Sequence, residues 1–243
     1  MKLYDAALSG NCHKVRLLLS MLELTHEVVP ISLPDLEQKT PVHLARSLLG
    51  TVPVLEDGDA VIYDSQAILV YLARKYCGEK WLPTDATGLA TVFQWLSFAA
   101  NEIWNGPALA RAVLLFNRDI DLAQAQASAR NSLALLDSWL DEHDWLALDR
   151  PTIADIACYP YSAMAEAGGI SLALYGTLNA WFKRIEALPG YVSMPGLGSR
   201  NALQSKSSAR AWRMASGRTA IWPYSGCAMA AMMRAPGSRK AVI

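Results

Sequence analysis

Cysteine is scarce and scattered: four residues in 243, at Cys12, Cys77, Cys158 and Cys227, with no paired spacing. That pattern excludes a zinc ribbon and a disulfide-stapled scaffold, and it predicts a reducing, cytoplasmic setting. The four histidines, His13, His26, His43 and His143, lack metal-ligand spacing, so no metal is expected. Net charge is missing as well. The 22 Lys/Arg balance the 22 Asp/Glu, which gives no global attraction to nucleic acid or to a membrane surface. No apolar run approaches membrane-spanning length, and MKLYDAAL at the start is too short and too polar for a signal peptide. What is abundant is apolar surface. Hydrophobic residues make up 52% and charged residues 18%, enough for a well-packed core in two modest domains.

The zero balance hides one more absence. Residues 197–243 carry eight Lys/Arg and no Asp/Glu, leaving 14 basic and 22 acidic residues in the remainder. This tail also loses helical periodicity and is rich in Ser, Ala, Arg and Gly, a composition that predicts a poorly ordered extension. The sharp break suggests a shifted reading frame or a fused segment.

Periodicity divides what precedes the tail. KLY (2–4) reads as a short strand, 11–24 as an amphipathic helix with Ser9 or Asn11 as its N-cap, and HEVVPI (26–31) as a second strand. VPVLEDGDAVIYD (52–64) is a hairpin around Asp57-Gly58, and SQAILVYLARKY is a helix with Ser65 as N-cap. CGEKWLPTDAT (77–87) reads as a connection. Helical periodicity then covers 88–116, 122–143, 152–166 and 176–187, broken by Asn-Gly-Pro (105–107), Asp-Arg-Pro (149–151) and Gly-Gly (168–169). Thr152-Ile-Ala-Asp155 resembles a capping box. The expected organisation is an α/β domain over 1–77, a linker over 78–87, an all-helical domain over 88–196, and the tail.

Three local features carry chemistry. Ser9-Gly10-Asn11-Cys12 has the shape of a Cys-x-x-Cys redox motif with serine in the first place, so it cannot run a dithiol cycle. A hydroxyl at a helix mouth favours a bound thiolate, and it equally serves as an ordinary N-cap. Val52-Pro53, if cis, offers the Val52 backbone to an extended peptide; a proline at a strand's first residue is the plainer alternative. Asp64-Ser65 at a helix start suits an ammonium and a carboxylate, the two charges of a free α-amino acid end, or is simply a cap with an acidic neighbour.

In combination, MKLYDAALSGNCHKVRLLL, GTVPVLEDG and YDSQAILVYLARKY resemble the cytosolic glutathione transferases in order and spacing. PTIADIACYPYSAMAEAGGISL and WFKRIEALPGY resemble helices of that family's second domain, so the likeness covers roughly residues 1–197. S-x-x-C-x-x-V looks like the serine-type members. The resemblance implies a thioredoxin-like α/β domain followed by a helical bundle, and a homodimer using glutathione as cosubstrate. It implies that Ser9, with Asn11 beside it, holds the sulfur as thiolate. Val52 with cis-Pro53 would pair with the cysteinyl backbone, Asp64 and Ser65 would bind the γ-glutamyl end, and Lys39 would meet the glycyl carboxylate. Asn101, Trp104 and Asn105 fall where the family's second domain borders the electrophile pocket. Two departures stand out: Leu48-Leu49 replace the usual Asn-Pro, and Gln38-Lys39 replace a nearby His. The implied activity is conjugation of glutathione to a small hydrophobic electrophile. Glutathione-dependent isomerisation or dehalogenation, or a non-catalytic module of the same fold, are the alternatives. Members often end near Pro195-Gly196.

Overall fold

A computed structural model describes residues 1–195. The basic tail therefore lies outside the described residues. Four strands come first, with three helices among them: β1 (Lys2–Asp5), α1 (Gly10–Met21), β2 (Glu27–Pro30), α2 (Pro41–Leu44), β3 (Val54–Asp57), β4 (Ala60–Tyr63) and α3 (Ser65–Tyr76). The sheet order is β2-β1-β3-β4, with β1 and β2 parallel and the other pairs antiparallel. A parallel pair requires a crossover, and α1 supplies it. Leu3 and Leu55, opposite each other in the β1–β3 ladder, are fully buried with Val15, Leu18, Ile68, Leu69 and Leu72 of α1 and α3. Tyr4 points to the other face, where His43 of α2 meets it edge-on at 6.2 Å. The sheet is thus covered on both sides, as in a thioredoxin-like fold.

From α4 onward the described chain is all helical: α4 (Ala86–Ile103), α5 (Leu109–Phe116), α6 (Leu122–Glu142), α7 (Ile153–Ala163) and α8 (Gly176–Glu186). Side-chain carboxylates of Asp85 and Asp121 cap α4 and α6 by accepting from Gly88 N (2.8 Å) and Gln124 N (3.0 Å). Leu178, Trp181, Phe182 and Ile185 of α8 repeat at the spacing of one buried face. Every residue of α7 is buried. It is the central helix and touches α1, α3, α4 and α8.

Three local expectations change. The two-residue loop of the hairpin is Gly58-Asp59, because Asp57 pairs with Ala60 and Gly58 takes φ +62. The cap of α3 is Asp64, which accepts from Gln66 N and Ala67 N, and Ser65 is already helical. Asn-Gly-Pro (105–107) breaks nothing: Trp104–Ala108 form a π-turn that carries α4 directly into α5. The wide turn tolerates Pro107, and Gly106 lets the backbone of α6 approach, since a Cβ there would stand 2.8 Å from Ala129 Cα.

Candidate functional site

Strand register gathers the candidate residues at one end of the sheet. Tyr4 of β1 faces Val54 of β3, so the chain beyond Tyr4 runs toward Ser9 alongside Val52-Pro53. Val54 in turn faces Tyr63 of β4, which carries Asp64 to the level of Pro53. The N-termini of α1 and α3 therefore open at the same end, each presenting the positive pole of its dipole.

Ser9 is the N-cap of α1, with φ −82 and ψ 122, and its hydroxyl accepts from Cys12 N at 3.3 Å. A hydroxyl has two acceptor lone pairs and one hydrogen, so this cap leaves the hydrogen of Ser9 to donate elsewhere. The preceding loop is held in place by Arg16, which pairs with Asp5 and donates to Ala7 O at 3.0 Å. Asn11 lies in the first turn, half-buried. Cys12 points inward: its sulfur accepts from Ala6 N at 3.4 Å, and burial pushes its thiol up to about 12. It is a packed thiol with no thiolate character at neutral pH.

The Val52–Pro53 bond is cis. Thr51 just before it is pinned on both sides, its N–H donating to Ser47 Oγ at 3.2 Å and its carbonyl hydrogen-bonded to His43 Nε2 at 2.9 Å. Among the described residues, neither backbone group of Val52 makes a hydrogen bond, so both are open to an added strand.

Asp64 adopts φ +74, outside the region side chains prefer, and such strain persists at sites where surrounding structure enforces it. Its Oδ1 takes both cap bonds, at 2.9 and 3.1 Å, and its exposed Oδ2 takes no bond from a described residue. Ser65 is buried, and its hydroxyl donates to Gln66 Oε1 at 2.6 Å. Lys39 Nζ donates to Leu49 O at 2.8 Å, beside the loop that leads to Val52. Its neighbour Gln38 is buried with no hydrogen-bond partner for either side-chain amide atom.

The helical layer meets this end through α7. Tyr161, in the last turn, lies directly on Gly10 of α1. Trp104 stands edge-on to Tyr161 at 6.2 Å and is 37% exposed. Trp104 thus reaches the mouth of α1 through one intervening ring. Asn101 and Asn105 are exposed and bond to each other at 2.9 Å, not to the residues around Ser9. Sequence reasoning missed two residues here. Lys14 is fully buried, four residues before Leu18 on a buried stripe of α1, a polar break in an apolar pattern that could have marked it. Tyr161 had no such mark, because its helix is buried all round and shows no single core-facing stripe.

Comparison with known proteins places both halves of the chain in one family. Residues 3–80 match the glutathione S-transferase N-terminal domain, and residues 106–189 match the glutathione S-transferase C-terminal domain. Glutathione S-transferase 1 of Zea mays is 37% identical over 102 residues, which is 42% of this chain; the chain spans about half the length of that relative (48%). Glutathione S-transferase 3 of Zea mays is 32% identical over 203 residues, covering 79% of this chain and 91% of the relative. Among solved structures, a glutathione S-transferase from Pseudomonas fluorescens superposes with a TM-score of 0.75 at 30% identity, over 79% of this chain and 98% of that one. With fold, sheet-end geometry and both halves in agreement, the chain belongs to the glutathione S-transferase family.

Proposed function

We propose that this chain is a serine-type glutathione transferase that conjugates the glutathione thiolate to a small hydrophobic electrophile. The observation that carries this reading is the cap geometry of Ser9. Its oxygen is used by Cys12 N, its hydrogen is available, and the pole of α1 adds positive potential at the same point. Both effects favour a thiolate over a thiol. Glutathione lies along Val52 as an added strand, with its ammonium on Asp64 Oδ2 and its γ-glutamyl carboxylate at the Ser65 main-chain N–H, the first-turn donor that Asp64 leaves open. Lys39 and Gln38 face the glycyl end. The sulfur attacks an electrophilic carbon held against Trp104, with Asn101 and Asn105 further along that wall. Sulfur–carbon bond formation discharges the anion, and serine remains unmodified throughout.

The functional division we assign is residues 1–77 for glutathione, 78–87 as connection and 88–196 for the second substrate. The role we assign is detoxification in the cytoplasm of a bacterium, as a homodimer. No helix among the described residues is long and apolar enough to cross a membrane.

Calorimetric titration with glutathione, followed by turnover of a panel of aryl halides, enones and epoxides, tests the reading. Absence of both binding and turnover refutes it. Asp64→Asn sharpens the test, because asparagine caps helices as well as aspartate and tolerates positive φ. The expected result is unchanged thermal stability with glutathione affinity reduced at least about tenfold, the scale of one charge-assisted hydrogen bond.

A further inference from the structure

The helical layer places one polar group at the mouth of α1 that the reaction above leaves unused. Tyr161 exposes 7% of its surface. Its ring rests on the first residue of α1, where a β-carbon on Gly10 would stand 2.6 Å from ring atoms Cε1 and Cζ. The Asn11 main-chain N–H and the Ser9 hydroxyl lie close enough to the phenol to favour negative charge on its oxygen. No carboxylate or carbonyl oxygen among the described residues accepts the phenol's own hydrogen. A buried O–H donor therefore stands beside the Ser9 hydroxyl and the Asn11 N–H, at the positive end of a helix.

We propose that Tyr161 is a further catalytic residue of this site, its O–H donating to the sulfur of the bound thiolate beside the Ser9 hydroxyl. The inference rests on the glutathione reading above. Three features of the surroundings suit a donor. Burial pushes the phenol up, outweighing the nearby Arg111 charge, so it keeps its hydrogen throughout the neutral range. The buried Lys14 ammonium stands 5.7 Å from the ring centroid and draws on its π density, which strengthens the O–H as a donor. A phenol is also a more acidic donor than an aliphatic hydroxyl, and it sits where an unpaired hydrogen would otherwise be costly to bury. Trp104 meets the same ring edge-on, so the wall facing the electrophile and the donor to the nucleophile are held in register.

Tyr161→Phe tests this directly, because it keeps the ring on Gly10 and against Trp104 and removes the O–H alone. Bound glutathione is titrated by its ultraviolet thiolate absorbance on wild-type, Tyr161→Phe and Ser9→Ala proteins, with affinity measured calorimetrically and folding by thermal melting. The Phe variant should melt like the wild type while its bound thiol titrates about one pH unit higher, a tenfold loss of thiolate at fixed pH. An unchanged or lowered midpoint in a variant that still binds glutathione overturns the role of Tyr161 and leaves the glutathione reading standing. Wild-type protein that binds no glutathione overturns that reading, and this inference with it.

Discussion

Trp181 Nε1 donates to Asp155 Oδ1 at 3.0 Å inside the helical core, and the same oxygen accepts from Leu146 N at 3.1 Å. The other carboxylate oxygen accepts from Thr152 N at 2.9 Å, closing the capping box of α7. One fully buried side chain thus ties together the loop before α7, the start of α7 and the face of α8. Asp155→Ala leaves three buried N–H groups without partners, each costing roughly 1–3 kcal/mol. Urea denaturation should show a loss of at least about 3 kcal/mol, among the largest for any single substitution here.

Gly10 is required by contact with Tyr161, independent of backbone freedom. Gly10→Ala forces a methyl group into the ring and should cost about 1–3 kcal/mol, the range for overpacking. In a Tyr161→Ala background the same substitution should cost almost nothing. Equal costs in both backgrounds would show that the ring moves aside freely.

His13 is fully buried, and neither ring nitrogen has a hydrogen-bond partner. Burial, with the nearby Arg16 charge, pushes it down to about 3. Between pH 6.5 and 3 the unfolded chain binds a proton that the folded chain refuses, so stability falls as pH falls across that window. The slope approaches about 1.4 kcal/mol per pH unit. His13→Leu should flatten the acid limb of a plot of urea midpoint against pH.

Lys14 gives the opposite limb. It is fully buried against Tyr161 and Cys158, with Asp64 within electrostatic reach, and burial pushes it down from 10.5 to about 8. From pH 8 to 10.5 the unfolded chain keeps a proton that the folded chain releases, so stability rises with pH there and the charge is most costly below pH 8. The shift corresponds to about 3 kcal/mol. Lys14→Met should therefore raise the melting temperature at pH 7, with the gain shrinking from pH 8 upward and gone near pH 10.5. A lowered melting temperature at pH 7 would mean that the ammonium's contacts outweigh its desolvation.

The sequence yields most of this frame, and its failures have identifiable causes. The hairpin and α3 were legible because β-branched runs, a turn dipeptide and an Asp-Ser start are all local signals. The hairpin turn fell one residue later than expected, with the Asp57 carboxylate engaged by Tyr71, Lys75 and Tyr76 at 2.6–2.9 Å. Asp64 and Ser65 are equally good caps in isolation; the end of β4 at Tyr63 puts the turn on Asp64. Asn-Gly-Pro reads as a helix break by propensity, and the close contact of Gly106 with α6 overrides it. In the candidate site, Ser9, Val52, Pro53 and Asp64 stand out in the sequence because each falls at a strand or helix end. Tyr161 does not, since its place on Gly10 depends on which helix the fold lays across α1.

The connection between the two halves is stitched down along its length. Arg150 donates to Lys80 O and, at 2.8 Å, to Glu79 O; Ile153 N bonds Trp81 O at 3.0 Å; Arg74 reaches Pro83 O at 2.7 Å. A segment fastened at that density is a weld and not a hinge. The enzyme proposed here would then work with its two halves already set, and discrimination among electrophiles would fall to side chains that can swing, with the part-exposed Trp104 first among them.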